Sequence, residues 1–182
     1  VAGERLVAVG ERGLIIVSDD DGASWQQAKV PISATLAAVS FPTATLGWAV
    51  GHSGIILHST DGGSNWQLQF DGNAAAKGYA QYALENMERL QQAFDLLEST
   101  AEVGSVELGD LEYALEDAIF AEEDARAALE TGPADPFLDV LFLDADTGIA
   151  VGAYGMIYRT SDRGKTWVLG AAHIENIDRF HY

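Results

Sequence analysis

The chain has no cysteine among its 182 residues. Disulfides and thiolate metal sites are thereby excluded. Basic residues are scarce: ten Lys plus Arg stand against 28 Asp plus Glu, a net charge of −18. Phosphate-led nucleic-acid binding needs a basic face, and so does attraction to anionic lipid heads. Neither fits this balance. No run of 18 apolar residues occurs, so no segment reads as a transmembrane helix. No signal-peptide pattern and no initiator Met are present, as expected of a processed or trimmed chain. Catalytic and cofactor signatures are missing as well. His52, His58, His173 and His181 show no paired metal spacing, and there is no G-x-S-x-G, P-loop or dinucleotide fingerprint. No cofactor and no metal are expected.

What the chain does contain is a repeat. Ser18-Asp-Asp-Asp-Gly-Ala-Ser-Trp25 returns as Ser59-Thr-Asp-Gly-Gly-Ser-Asn-Trp66 and as Thr160-Ser-Asp-Arg-Gly-Lys-Thr-Trp167. The first two boxes start 41 residues apart and the next pair 101 apart, one period plus about 60 inserted residues. Upstream of each box lies a short apolar run, then Gly-x-x-Gly, then a second apolar run. These runs are too short for helices and are bounded by glycines, so they read as strands joined by a tight hairpin. The Gly-x-x-Gly segments open no helix that would hold a phosphate. A period near 40 with several short strands and a Trp per repeat predicts propeller blades.

The second repeat reads as a whole blade. Strands are expected over 36–41, 47–51, 55–59 and 66–70, with Val39 and Phe41 as apolar anchors. The third repeat supplies an inner strand over 137–143, while the first lacks one. Residues 172–182 are expected to begin a further inner strand, or to exchange with the incomplete first blade of a second copy. Open blade edges invite such self-association.

The box residues have turn chemistry. Asp20, Asp61 and Asp162 are expected to accept N–H bonds from residues just ahead, with Ser18, Ser59 and Thr160 acting likewise through their hydroxyls. Gly22, Gly63 and Gly164 supply backbone angles that other residues adopt at a cost. Trp25, Trp66 and Trp167 are expected to pack between neighbouring sheets. A catalytic or calcium-binding role for the three carboxylates is the alternative, but turn bonding already occupies them.

With these residues in view, the chain resembles two related groups. The box is similar to the Asp box of the bacterial neuraminidase repeat. The fuller pattern, Gly47-Trp-Ala-Val-Gly-x-x-Gly-Ile-Ile with the box at 59–66, resembles the photosystem II stability and assembly factor family and its bacterial, non-photosynthetic relatives. The resemblance implies a mainly β fold, with seven four-stranded propeller blades in the complete family. It also implies a non-enzymatic role in assembling a membrane complex, and export to the periplasm. Three boxes are too few for seven blades, so a segment of a larger propeller or a short form is expected. Photosynthetic members are expected to use a basic surface patch, which ten scattered basic residues do not reproduce.

Residues 74–132 differ in composition. Gly is sparse, Trp and Pro are absent, and Ala, Leu and Glu dominate. Apolar residues at Ala83, Met87, Leu90, Phe94, Leu97 and Ala101 form one helical seam. Leu108, Leu111, Leu115, Ala118, Ala125 and Leu129 form a second, broadened by Ile119 and Phe120. An antiparallel helical hairpin is predicted, with a break over 102–106. It would rise from the propeller face opposite the boxes. Residues 74–131 hold 14 acidic and 3 basic residues, a net of −11. A solvated surface explains this charge; so does a docking arm for a protein partner, with Glu85, Glu88, Glu116, Glu122 and Glu123 as contacts.

The domain reading is therefore two blades over 1–73, the insertion over 74–132, a third blade over 133–171, and the strand start beyond. A sialidase-like site needs an arginine cluster, and the seven arginines do not recur at positions that converge. The expected function is a non-enzymatic interaction or assembly module. The alternative is a glycan-binding or degenerate sialidase-like propeller.

Overall fold

Short apolar stretches between glycine-bearing turns form strands, and these assemble into three antiparallel sheets. The computed structural model describes residues 1–100, 105–132 and 135–170. In chain order the first sheet holds β1 (Leu6–Val9), β2 (Ile15–Ser18) and β3 (Gln26–Gln27). The second holds β4 (Leu36–Ser40), β5 (Gly47–Gly51), β6 (Ile55–Ser59) and β7 (Gln67–Phe70). Two helices follow, α1 (Gly72–Glu98) and α2 (Val106–Thr131). The third sheet holds β8 (Phe137–Phe142), β9 (Gly148–Gly152), β10 (Ile157–Thr160) and β11 (Val168–Leu169). Each four-stranded sheet is ordered as its sequence runs, an up-and-down blade, and among the described residues the first sheet holds three strands, none of them an inner one. The expected mainly β fold of blades with an inserted helical hairpin is the observed one.

The chain divides into two compact units, 1–75 with 133–182, and 76–132. In the first, equivalent registers repeat. Val7 faces Val17 across β1 and β2, Trp48 faces His58 across β5 and β6, and Ile149 faces Arg159 across β9 and β10. A strand's side chains alternate between faces, so one face of each blade carries these residues and the other the residues between them. Val7, Val9 and Ile15 pack with Leu36, Ala49, Leu57 and Trp66 of the second blade. One period later Trp48, Val50 and Ile56 pack with Phe137, Phe142, Ala150 and Tyr158 of the third. Blade-on-blade burial is thus the same contact made twice. On the equivalent face of the third blade, Leu141, Val151 and Val168 are exposed.

Polar links fasten the same joints. The Arg5 guanidinium donates to Ser64 Oγ at 2.8 Å and to Gly62 O at 3.3 Å, joining the first blade to the second box. The Trp48 indole donates to Gln69 Oε1 at 2.9 Å, and Gln69 Nε2 donates to Arg163 O at 2.9 Å. Trp66 stands just ahead of β7, not within it, because its amide donates to Lys29 O of the preceding blade. The buried Tyr158 hydroxyl donates to Ala75 O at 2.9 Å, fixing the first turn of α1 into the blade core.

In the second unit, Ala- and Leu-rich sequence without β-branched runs favours helix. Ser105 caps α2 by accepting the Leu108 amide, and Gly132, at φ 86°, follows its end. The two helices pair as a hairpin, with Ala83 on α1 and Leu115, Ala118 and Ala125 on α2 buried. Ile119 and Phe120 do not broaden this seam: both are exposed, Phe120 at 69%. At 100° per residue Phe120 stands 200° from buried Ala118, on the other side of the helix. Leu129 is exposed too. Ala101, residues 102–104 of the expected break and residues 172–182 lie outside the described residues, while Val106, at the end of the expected break, already belongs to α2.

Candidate functional site

Each box closes on itself through the same bonds. The Ser18 hydroxyl, 2% exposed, donates to Asp20 Oδ1 at 2.8 Å and accepts the Gly22 amide at 2.9 Å. Asp20 then accepts the Ser24 amide at 2.8 Å and the Ser24 hydroxyl at 2.6 Å. Ser59, Asp61, Gly63 and Asn65 repeat the pattern, with the Asn65 side-chain amide donating to Asp61 at 2.6 Å. Thr160, Asp162, Gly164 and Thr166 repeat it again. The box glycines sit at φ 87°, 87° and 74°, left-handed angles that suit a residue without Cβ.

These donors set the acidity of the carboxylates. The Ser24 hydroxyl, then its amide and the Ser18 hydroxyl, bring the Asp20 carboxyl down to about 2. The Thr166 hydroxyl and amide do the same for Asp162, also to about 2. At Asp61 burial pushes upward, yet the bonds from Asn65 and Ser59 outweigh it and hold the group below its ordinary value. Such carboxylates stay ionised and bonded, so they suit neither an acid catalyst nor a proton carrier. In the acidic spot at Asp19-Asp20-Asp21, Asp19 pairs with Arg5 at 2.6 Å and Asp20 belongs to the turn. Arg163 pairs with Asp146 at 2.9 Å.

The three box tryptophans are not equivalent. Trp66 is 4% exposed, lies edge-on to Phe41 at 5.9 Å, and its indole donates to Gly63 O. Trp167 is half-buried and meets Phe142 in the same edge-on way, at 5.9 Å. Trp25 is 43% exposed, so it does not pack between sheets as expected. The physical reason is local. The Phe that receives each of the other two Trp rings stands at or just past the end of an inner strand, β4 or β8, and among the described residues the first sheet pairs no such strand. Trp48 is sandwiched between His58 at 4.7 Å and Phe142 at 3.5 Å, and burial lowers the His58 pKa, with Arg163 adding to it. This stack fills the joint between the second and third blades.

The acidic residues singled out on the insertion fall on different surfaces. Glu85 and Glu88 are exposed on α1, where Glu85 accepts the Gln81 side-chain amide at 2.6 Å. Glu116 and Glu123 are exposed on α2, whereas Glu122 is half-buried in line with Leu108 and Leu115. Beside Glu116 and Glu123 runs a feature that the seam-based reading missed. Val106, Tyr113 and Phe120, seven residues apart, are 74%, 73% and 69% exposed. Asp110, Asp117 and Asp124 keep the same seven-residue spacing, four places further on, and are also exposed. The seven-residue spacing of Val106, Tyr113 and Phe120 stands in the sequence, but Phe120 adjoins Ala118 and Ile119 and so reads as part of the seam.

Residues 4–74 match the model of the protein family described as photosynthesis system II assembly factor YCF48. That stretch holds the first two blades and their boxes, and the family is the one the repeat pattern resembles. No curated protein matches the chain. Among solved structures, the chain is similar to YCF48 bound to D1 peptide, with 19% identity, 90% of this chain and 35% of that chain covered, and a TM-score of 0.48. YCF48 from Cyanidioschyzon merolae gives 18% identity, coverage of 91% and 35%, and a TM-score of 0.47. The chain spans about 35% of the length of these structures.

Proposed function

We propose that this chain is a non-enzymatic interaction module of an Asp-box propeller that assists assembly of a membrane protein complex. The match of residues 4–74 to an assembly-factor family carries the reading. The chemistry of the boxes supports it. Their carboxylates are engaged in turn bonds and held ionised, so the repeated motif maintains blade geometry. Arg5, which bonds the first and second boxes, and Arg163, inside the third, are paired with Asp19 and Asp146. The partner is proposed to be a protein, and the compartment the periplasm or another exported location. The acidic hairpin, with Glu85, Glu88, Glu116, Glu122 and Glu123, is proposed as the docking arm.

The test is affinity capture from detergent-solubilised membranes, comparing the full chain with a variant in which a Gly-Ser linker replaces residues 77–131, leaving Ala75 in the blade core. The full chain should retain a membrane-complex subunit. The deletion variant should lose it while its tryptophan near-UV circular dichroism persists. Equal capture by both would remove the hairpin from the mechanism. Cleavage of a sialoside reporter, or selective binding on a glycan array, would replace the assembly reading with a carbohydrate one.

A further inference from the structure

The outward face of α2 is built differently from the outward face of α1. On α1, exposed polar side chains satisfy one another: Gln81 with Glu85, Arg89 with Asn86, Gln91 with Asp95. Such i, i+3 and i, i+4 pairs are what a solvated helix face uses. On α2, Val106, Tyr113 and Phe120 form an exposed line about 21 Å long, at 1.5 Å per residue. Asp110, Asp117 and Asp124 run beside it, and no hydrogen bond or ion pair engages them among the described residues. The line lies opposite the buried Leu115, Ala118 and Ala125.

Solubility does not account for this face. Aspartate is a poorer helix former than glutamate, so three helix-interior aspartates cost stability that glutamates would not. Exposed aromatic rings work against solubility outright. The matched seven-residue spacing of rings and carboxylates instead has the form of a docking stripe: apolar anchors with a parallel row of charge.

We propose that α2 docks a basic amphipathic helix of a partner protein. Its apolar residues would seat against Val106, Tyr113 and Phe120, and its Lys or Arg residues would meet Asp110, Asp117 and Asp124. Charge complementarity selects this occupant. A second copy of this chain would set one aspartate row against another, and an anionic lipid surface would be repelled by both the row and the hairpin's net charge. Glu116 and Glu123, on the flank of the stripe, reinforce the same preference. The inference deepens the assembly reading and rests on it for the biological setting, but its test does not require the natural partner.

The probe is a fluorescein-labelled synthetic helix of three heptads, with Leu on one stripe and Lys four positions on. Its counterpart carries Glu in place of Lys. Binding to the full chain is followed by anisotropy at about 150 mM salt, where loose surface attraction is screened. The Lys helix should bind and the Glu helix should not. The double variant Tyr113→Ala/Phe120→Ala should weaken binding at least about tenfold. The triple variant Asp110→Asn/Asp117→Asn/Asp124→Asn should weaken it similarly and flatten its salt dependence. Glu107→Gln/Glu112→Gln/Glu130→Gln removes as much charge elsewhere on α2 and should stay within about twofold of the parent. All substituted side chains are exposed, so far-UV circular dichroism should be unchanged.

The proposal is overturned if the double variant binds like the parent, or if the Gln control falls as far as the Asn variant. It is also overturned if sedimentation shows self-association that depends on Tyr113 and Phe120. Should deletion of the hairpin abolish membrane-partner capture while the double variant retains it, the stripe fails and the assembly reading stands. Should the deletion leave capture unchanged, the assembly reading loses its docking arm whatever the peptide result.

Discussion

Ser59 shows how one side chain carries a turn. Its hydroxyl is 1% exposed and receives the buried Gly63 amide while donating to Asp61. Ser59→Ala should cost about 1–3 kcal/mol in urea unfolding, because a buried donor loses its acceptor. Ser59→Thr should recover most of this, since the third box already uses Thr160 in that place. Asp162 gives a prediction that depends on pH. Its folded pKa, about 2, lies below the ordinary 3.8, so its ionised form stabilises the fold above that ordinary value. The contribution is lost as pH falls toward 2. Asp162→Asn should therefore be less stable than the parent at neutral pH, and the gap between their urea midpoints should close between about pH 4 and pH 2. A gap that stays constant over that range would mean the charge is not what the turn uses.

Blades and helices make their own predictions, and the repeat supplies internal controls. Trp66→Ala removes a ring seated on Phe41 and should cost about 3–5 kcal/mol. Trp25→Ala, at the same box position but with its side chain 43% exposed, should cost less than about 1 kcal/mol. Ile56 is fully buried between the second and third blades, so Ile56→Ala should cost about 2–5 kcal/mol. Its equivalent Ile157 is only half-buried, and Ile157→Ala should cost less than half as much by the same urea measurement. Gly148 tests close approach. A Cβ there would lie 2.6 Å from the Phe142 ring, so Gly148→Ala should lower the thermal midpoint by displacing the ring from Trp48 and Trp167. In the helical unit, Ser105→Ala should cost about 0.5–2 kcal/mol and fray the start of α2, seen as faster amide exchange near Leu108.

Taken as one body of charge, the chain repels itself. A net of −18 on 182 residues opposes compaction, and the 14 acidic residues of 74–131 concentrate the effect. Raising ionic strength from about 10 mM to about 150 mM shortens the Debye length to roughly 8 Å and should raise the thermal midpoint. A midpoint that falls with salt would show that the Arg5–Asp19 and Arg163–Asp146 pairs outweigh the repulsion. Solvent-exposed pairs of that kind contribute little each, so the rise is the expected result.

The blades were legible in the residues because every element of the repeat is local. A box of eight residues forms its own turn, and a Gly-x-x-Gly hairpin sets the register of the strands beside it. The helical hairpin was legible for a similar reason, since a seam of Ala and Leu at steps of three and four needs no distant partner to be recognised. What the residues did not disclose is which copy of a repeated side chain has a neighbour. Trp25, Trp66 and Trp167 read alike, yet among the described residues only the last two meet a phenylalanine, at the end of an inner strand. Phe120 reads as core by composition, yet the rotation of α2 about its seam turns it to solvent with Val106 and Tyr113. Local bonds depend on sequence separation of a few residues, whereas burial depends on what lies across a joint, and only the folded arrangement decides that.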